Sequence, residues 1–334
     1  MTAGELKYED LITIENLFQA WDEFKKEKRS KGDVQAFERC LEDNIFGLRS
    51  KLSSKKYQHG IYQEFYVNDP KRRHIHKAQV RDRVVHHLLY KYLYELFDKS
   101  FIYDSYSCRV DKGTHRGVLR LGKFARTISR NFAYPCWALK LDIKKFFANV
   151  DHQILLDLLK QRVKDPDILW LLLQIIDSFS SDSGEGKGIP LGNLTSQVFA
   201  NIYMNELDQF VKHTLKLKYY LRYADDFVIL STNKKSLERL ITPLESFLKL
   251  RLKLDLHPNK IIFRKLSWGI DMLGYNVLPH YILPRRKTVK RMFKKIAEKS
   301  GSESFNQTLA SYLGYLSHAN AYELSQKLKN QYCG

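Results

Sequence analysis

Over the first sixty positions apolar residues recur with a helical period. Leu11, Ile14, Leu17, Phe18, Trp21 and Phe24 share one face, so residues 5–60 read as helical, interrupted by a polar, basic stretch from Lys25 to Asp33. The pattern then shortens. Glu64 to Asn68 reads as a strand and Asp69-Pro70 as a turn. Beyond Lys71-Arg72-Arg73, a second strand-like stretch leads into a helix from about Val80 to Phe97. Trp137 to Ile143 is a strand. Asp151 caps a helix with Ile154, Leu155, Leu158 and Leu159 on its apolar face, and Ile168 to Ile176 forms the next. A glycine-rich loop, Gly184 to Gly192, opens onto a helix carrying Leu194, Val198, Ile202 and Leu207. Tyr219 to Leu230 is two apolar strand halves around Ala224-Asp225-Asp226, a hairpin with acid at its tip. A helix from Lys235 to Leu250, short strands to Leu283, and two basic helices from about Thr288 and Phe305 complete the chain. Strands separated by helices around a central hairpin predict an α+β protein, its sheet covered by helices on one face.

Composition changes this picture in one respect. The chain has 334 residues, 44% of them hydrophobic, enough for a sizeable core in one large domain or a few tightly joined subdomains. Its 56 lysines and arginines outnumber 37 acidic residues, a formal charge of +19. Such a surplus repels itself in a compact fold and favours a polyanionic partner, nucleic acid foremost. Cys40, Cys108, Cys136 and Cys333 form no Cys-x-x-Cys pair, so the cysteines suggest neither a zinc site nor a disulfide framework. The acidic stretch from Met1 to Asp10 has no apolar core of a signal peptide, and the run Ile168 to Ile176 is too short to span a bilayer. A cytoplasmic protein with no membrane partner is expected.

Two adjacent carboxylates at a hairpin tip repel each other unless a cation neutralises them. Mg²⁺ prefers oxygen ligands and bridges carboxylates to phosphates. Asp142, at the end of the strand before the hairpin, supplies a third carboxylate for a two-metal site. Ordinary turn chemistry also places acids in turns, but Tyr-Leu-Arg-Tyr before the pair and Phe-Val-Ile-Leu after it frame the acids with strand.

Tyr223-Ala-Asp-Asp226 resembles the Tyr-x-Asp-Asp motif of reverse transcriptases, and Leu139-Lys-Leu-Asp-Ile-Lys-Lys-Phe-Phe147 resembles their first catalytic motif. Gly188-Ile-Pro-Leu-Gly-Asn-Leu-Thr-Ser-Gln197 is similar to their Gln-Gly-x-x-x-Ser-Pro motif, with Leu191 in place of Gln and Gln197 in place of Pro. Arg81-Asp-Arg-Val-Val-His-His87, Ser107-Cys-Arg109, Leu252-Lys-Leu-Asp-Leu-His-Pro-Asn-Lys260 and Met272-Leu-Gly-Tyr275 follow in the family's order. The resemblance covers roughly residues 60 to 285, and its specificity lies in the combination.

The resemblance implies a right-hand polymerase. Its expected parts are an N-terminal helical extension (1–60), fingers (61–138), a palm (139–284) with a finger-like insertion near 165–190, and a short helical thumb (285–334). It implies two Mg²⁺ ions on Asp142, Asp225 and Asp226, with RNA template, primer duplex and deoxynucleoside triphosphate as partners. Phe147 matches the steric-gate position that excludes a ribose 2′-hydroxyl; a core phenylalanine is the alternative. Leu191, Gly192 and Gln197 match the nucleotide pocket; a core leucine is the alternative for Leu191, and its matching position argues against it. Lys260 matches a lysine proposed to protonate pyrophosphate, against a salt-bridged surface lysine. Leu273, Gly274 and Tyr275 match the primer grip.

Lys71 and Arg73, two cations beside a turn, suit a triphosphate or simply a solvated turn. His86-His87 reads as packing. The density of Arg285, Arg286, Lys287, Lys290, Arg291, Lys294 and Lys295 suits phosphate tracking, or a merely solvated face.

Leu-Gly-x-x-x-Ser-Gln, the short ending and Gly314-Tyr-Leu-Ser-His-Ala-Asn320 are similar to reverse transcriptases of diversity-generating retroelements. These miscopy template adenines with the help of a small basic oligomeric accessory protein. Defence-associated or retron-like reverse transcriptases, which use a dedicated non-coding RNA, are the rival expectation. A catalytically silent RNA-binding scaffold and an RNA-synthesising polymerase are weaker ones.

Overall fold

The computed structural model describes residues 6–68 and 71–332. The Asp69-Pro70 turn and Cys333 lie outside the described residues. Contacts divide the chain into two compact units, each built from segments distant in sequence.

The first unit comprises residues 1–103, 143–210 and 245–255. Its frame is helical. Helix Val80–Phe97 packs on Ile14–Lys25 and on Leu194–Gln209, which in turn packs on His152–Lys160. The expected capping at Asp151 is present, with its carboxylate accepting from the Ile154 N–H at 3.0 Å. Two short strands, β1 (Gln63–Val67) and β2 (Arg73–Lys77), pair antiparallel with Val67 opposite Arg73. This ribbon is solvent-exposed along all of β1.

The second unit comprises residues 104–142, 211–244 and 256–334. Strands β3 (Trp137–Asp142), β4 (Tyr220–Tyr223), β5 (Asp226–Ser231) and β6 (Ile262–Lys265) form an antiparallel sheet in the order β4-β5-β3-β6. Helix Thr114–Ile128 lies on β4 and β5 with Val118, Leu121, Phe124 and Ala125 turned into the core against Leu221 and Val228. A second sheet is a meander of β7 (Ile270–Met272), β8 (Tyr275–Val277) and β9 (Ile282–Pro284). Three closing helices, Arg286–Lys299, Phe305–Leu316 and Tyr322–Tyr332, share a small core of Met292, Ile296, Leu309, Leu316 and Leu328.

Three local expectations need revision. The helix expected from Lys235 to Leu250 is two helices, Lys234–Glu238 and Ile241–Leu252. Pro243 has no N–H for the Arg239 carbonyl and its ring clashes there, so no helix runs through both. Only one of the two closing helices expected to be basic is so: Phe305–Leu316 contains no lysine or arginine, and a third helix follows it. Helix Thr114–Ile128 was not foreseen. Among the described residues no helix is long and apolar enough to cross a membrane.

Candidate active site

Two of the three candidate carboxylates, Asp142 and Asp226, belong to the four-stranded sheet of the second unit, and Asp225 to a turn at its end. Asp142 ends β3 and stands opposite Asp226, the first residue of β5. Tyr223 also pairs with Asp226, so Ala224 and Asp225 alone make the turn between β4 and β5. Ala224 takes the left-handed conformation (φ 54°) that two-residue hairpins need. Directly opposed like charges destabilise a sheet, and two lysines offset them. Lys140 precedes Asp142 by two residues and so shares its face of β3; its Nζ lies 3.0 Å from Asp226 Oδ2. Lys260 Nζ lies 2.7 Å from Asp142 Oδ1. The turn carrying Lys260 is held by the His257 N–H, which donates to the Asp142 carbonyl at 2.8 Å.

Burial, then the charge of Asp142 and to a smaller extent that of Asp226, pushes the Asp225 carboxyl up to about 6. Asp226 is raised by burial as well, with Lys140 pulling it back. Asp226 Oδ1 is buried and has no hydrogen-bond partner among the described residues. An unpartnered anionic oxygen is costly unless something fills its place. Three carboxylates, one with a vacant acceptor, form an all-oxygen donor set that fits Mg²⁺ or a similar hard divalent cation.

Other candidates line a cleft of about 820 Å³ within the first unit, among them Arg73, Phe147 and Leu191, together with Arg72 and Lys145. Lys71, Gly192 and Gln197 are exposed and are not among its lining residues. Phe146 and Phe147 differ sharply: Phe146 is 2% exposed and belongs to the core, whereas Phe147 is half-buried on the cleft wall. Backbone bonds assemble the cleft. The Ile189 N–H donates to the Phe147 carbonyl at 2.8 Å, and the His76 N–H to the Leu191 carbonyl at 2.9 Å. Asn193 clamps β2 from both sides, accepting from the Ala78 N–H at 3.2 Å and donating to the His76 carbonyl at 2.8 Å. Gly192 has φ +111°, and a Cβ there would lie 2.8 Å from Ile75 Cγ2. Its missing side chain therefore makes room for β2.

Leu273 and Gly274 form the two-residue turn between β7 and β8, both with positive φ (51° and 93°). The Gly274 carbonyl accepts from the Arg285 N–H at 2.8 Å and the Tyr315 hydroxyl at 2.5 Å. The Tyr275 hydroxyl donates to the Tyr315 carbonyl at 2.8 Å, tying this turn to helix Phe305–Leu316. On helix Arg286–Lys299, Thr288, Met292 and Ile296 are buried while Arg286, Lys287, Lys290 and Lys294 face solvent. His86 is buried, with Nδ1 2.7 Å from the Thr195 hydroxyl and Nε2 3.1 Å from His59 Nε2, an internal hydrogen-bonded position.

The family model for "Reverse transcriptase (RNA-dependent DNA polymerase)" matches residues 67–277, more than half of the chain. The chain belongs to the reverse transcriptase family. Protein YkfC of Escherichia coli is 26% identical over 277 residues, covering 69% of this chain and 70% of that one. The group II intron-encoded protein LtrA of Lactococcus lactis is 23% identical, covering 76% of this chain and 52% of LtrA. The putative COX1/OXI3 intron 2 protein of Saccharomyces cerevisiae is 21% identical over 64% of this chain and 31% of its own length. The reverse transcriptase chain thus spans only a third to a half of two of these relatives. Among solved structures, telomerase of Candida albicans in complex with a telomeric RNA fragment aligns with a TM-score of 0.53 at 11% identity, over 84% of this chain and 58% of that one. Telomerase of Candida tropicalis aligns at 0.51 and 12%. The fold is accordingly the α+β fold of the right-hand reverse-transcriptase polymerases.

Several residues that shape this reverse transcriptase site were not singled out from the sequence. Lys140 lies inside the first quoted motif, and the strand period alone puts it beside Asp142. Arg222 is fully buried and donates to the Ala224 carbonyl at 2.9 Å, holding the turn that carries Asp225. A buried arginine inside an apolar strand was its only signal. Asn193 was legible solely as a letter in a loop.

Proposed function

We propose that this chain is an RNA-directed DNA polymerase, adding deoxynucleotides to a primer 3′-hydroxyl on an RNA template. The observation that carries the reading is the juxtaposition of Asp142, Asp225 and Asp226 with an unpartnered Asp226 oxygen. Asp142, Asp225 and Asp226 would hold two Mg²⁺ ions, which when bound supply activation of the attacking hydroxyl and neutralisation of the leaving pyrophosphate. Lys260, ion-paired to Asp142, keeps a proton within reach of the same corner. Arg73, with Lys71 nearby, receives the triphosphate. Phe147 closes the space a 2′-hydroxyl would need. Leu191 borders the nucleotide pocket, Gly192 seats β2 beside it, and Leu273, Gly274 and Tyr275 steady the primer end. The division into fingers (61–138, preceded by 1–60), palm (139–284) and thumb (285–334) belongs to the same proposal, with the exposed cations of the last segment tracking duplex phosphates.

Within this reading we assign the chain to the diversity-generating type, error-prone at template adenines and working with a small basic accessory protein. The support is Leu191, Gln197 and the Gly314–Asn320 stretch. A leucine offers no hydrogen bond to brace the incoming nucleotide, so correct and incorrect pairs differ less in transition-state energy. Primer extension on RNA with Mg²⁺ tests the activity: extension with deoxynucleotides supports it, none identifies a silent scaffold, and extension with ribonucleotides alone identifies an RNA polymerase. Sequencing copurified RNA tests the type, since a dedicated structured RNA unrelated to a template repeat would favour a defence role.

A further inference from the structure

The β1–β2 ribbon gathers a second set of ligand-type side chains, wholly within the first unit and apart from the three aspartates. Glu64 on β1 stands directly opposite His76 on β2, and His74 lies two residues earlier on the same strand face. The three offer ligand atoms that all lie within 4.8 Å of one another. His74 Nε2 is 3.1 Å from Glu64 Oε2, and His76 Nε2 is 3.8 Å from Glu64 Oε1.

Those separations match a metal polyhedron. With bonds of about 2.0–2.2 Å to nitrogen and oxygen, tetrahedral ligand atoms sit about 3.4 Å apart. An ordinary ion pair accounts for less of the arrangement. It needs one histidine for the carboxylate, yet two imidazoles straddle it. Burial, and next the neighbouring His74, hold His76 below the usual histidine range. The rings are positioned by packing. His74 stacks on Tyr66 at 4.5 Å, and His76 meets the edge of Phe179 at 4.7 Å. The Arg72 guanidinium also lies over the Tyr66 ring, at 4.1 Å. Two histidines and a carboxylate are the donor set of zinc sites that keep a position open for water or substrate.

We infer that Glu64, His74 and His76 form a binding site for a transition-metal ion of the Zn²⁺ class, with its open position facing the cleft lined by Arg73, Phe147 and Leu191. Mg²⁺, which favours oxygen, is not its ion. The bound ion cross-links the two strands of a ribbon that is too small to be stable by itself.

The test uses the full chain, freed of metal by chelation and titrated with Co²⁺ as a coloured stand-in for Zn²⁺. One equivalent is expected to give visible bands of tetrahedral intensity that Zn²⁺ bleaches and millimolar Mg²⁺ does not. His74→Ala and His76→Ala are expected to lose the bands, while Asp225→Asn keeps them. Equal metal-free melting temperatures for parent and variants establish that the variants fold. Should a histidine variant fail to fold, Glu64→Ala at the exposed edge decides, with weakened bands expected. Absence of bands at one equivalent overturns the site. Bands that persist in the folded variants, or that vanish in Asp225→Asn, overturn it too.

Discussion

Two of the short hairpins have opposite physical characters. The one joining β4 and β5 lies within a four-stranded sheet, and its strands are buried almost throughout. The one joining β1 and β2 is an isolated two-stranded ribbon, exposed along β1. In the first, the core grips both faces: Phe227 and Ile229 are buried on one side of β5, and Val228 and Leu230 on the other. That hairpin carries acid at a fixed place. In the second, backbone bonds to the Leu191 loop and ring stacking do the holding, and what it carries is positive charge and imidazole. Under the proposed function, the buried hairpin holds the reacting carboxylates, and the exposed ribbon holds the groups that would meet a changing substrate.

The sharpest way to break this contrast is Asp225→Ala. If the buried hairpin is the chemical centre, primer extension falls by on the order of 10³-fold or more, since metal-borne charge stabilisation is worth several kcal/mol. RNA affinity, measured by filter binding, is expected to stay nearly unchanged, because metal ligation and phosphate contact are separate functions. Normal extension by this variant sinks the assignment.

Phe147→Ala probes the other region. Opening the 2′ space is expected to reduce discrimination against ribonucleotides by about 10- to 200-fold, the range that one apolar contact commands. Competition between deoxy- and ribonucleotides reads it, and unchanged selectivity would make Phe147 a packing residue.

A pH series separates the regions without mutation. Asp225 is raised from 3.8 to about 6, so between those values the native state holds a proton that the unfolded chain releases. The group's contribution to stability is fully present below 3.8 and is lost as pH rises to 6. A metal ion must displace that proton. The Mg²⁺ concentration for half-maximal extension is therefore expected to rise by up to about tenfold per pH unit below 6 and to level off above it. A flat Mg²⁺ requirement between pH 5 and 7 contradicts this.

The smallest effect is expected from Leu191→Gln. One recovered hydrogen bond is worth about 1 kcal/mol, so errors opposite template adenine fall by roughly tenfold at most. Sequencing DNA copied by both forms from one four-base template measures it. An unaltered error spectrum removes the mutagenic reading.

What the sequence made legible follows the same divide. The acid hairpin was readable because strands buried on both faces are apolar throughout, so the two acids stand out between them, and helix Val80–Phe97 was readable from its ends inward. Residue roles that depend on long-range contact were not. Lys140 and Lys260 are 120 residues apart, and only the pairing of β3 with β5 and the turn after His257 bring them to the opposed Asp226 and Asp142. Helix Thr114–Ile128 has a sound apolar stripe, but it sits among basic residues and follows Gly113, and charge masked its period. The break before Pro243 was visible as a letter, and the long apolar pattern around it hid its effect. The Glu64, His74 and His76 group escaped notice because only a strand pairing brings position 64 to position 76.

Gly192 and Leu191 are neighbours with unequal freedom. At position 192 a single methyl group would strike Ile75, so any replacement is transmitted to the ribbon and every cation on it. At position 191 the carbonyl is committed to His76 while the side chain merely borders the cleft. Adjacent links of one loop thus divide into a fixed bearing and an adjustable dial. A loop built this way can exchange the side chain that borders the cleft without moving the strand it holds.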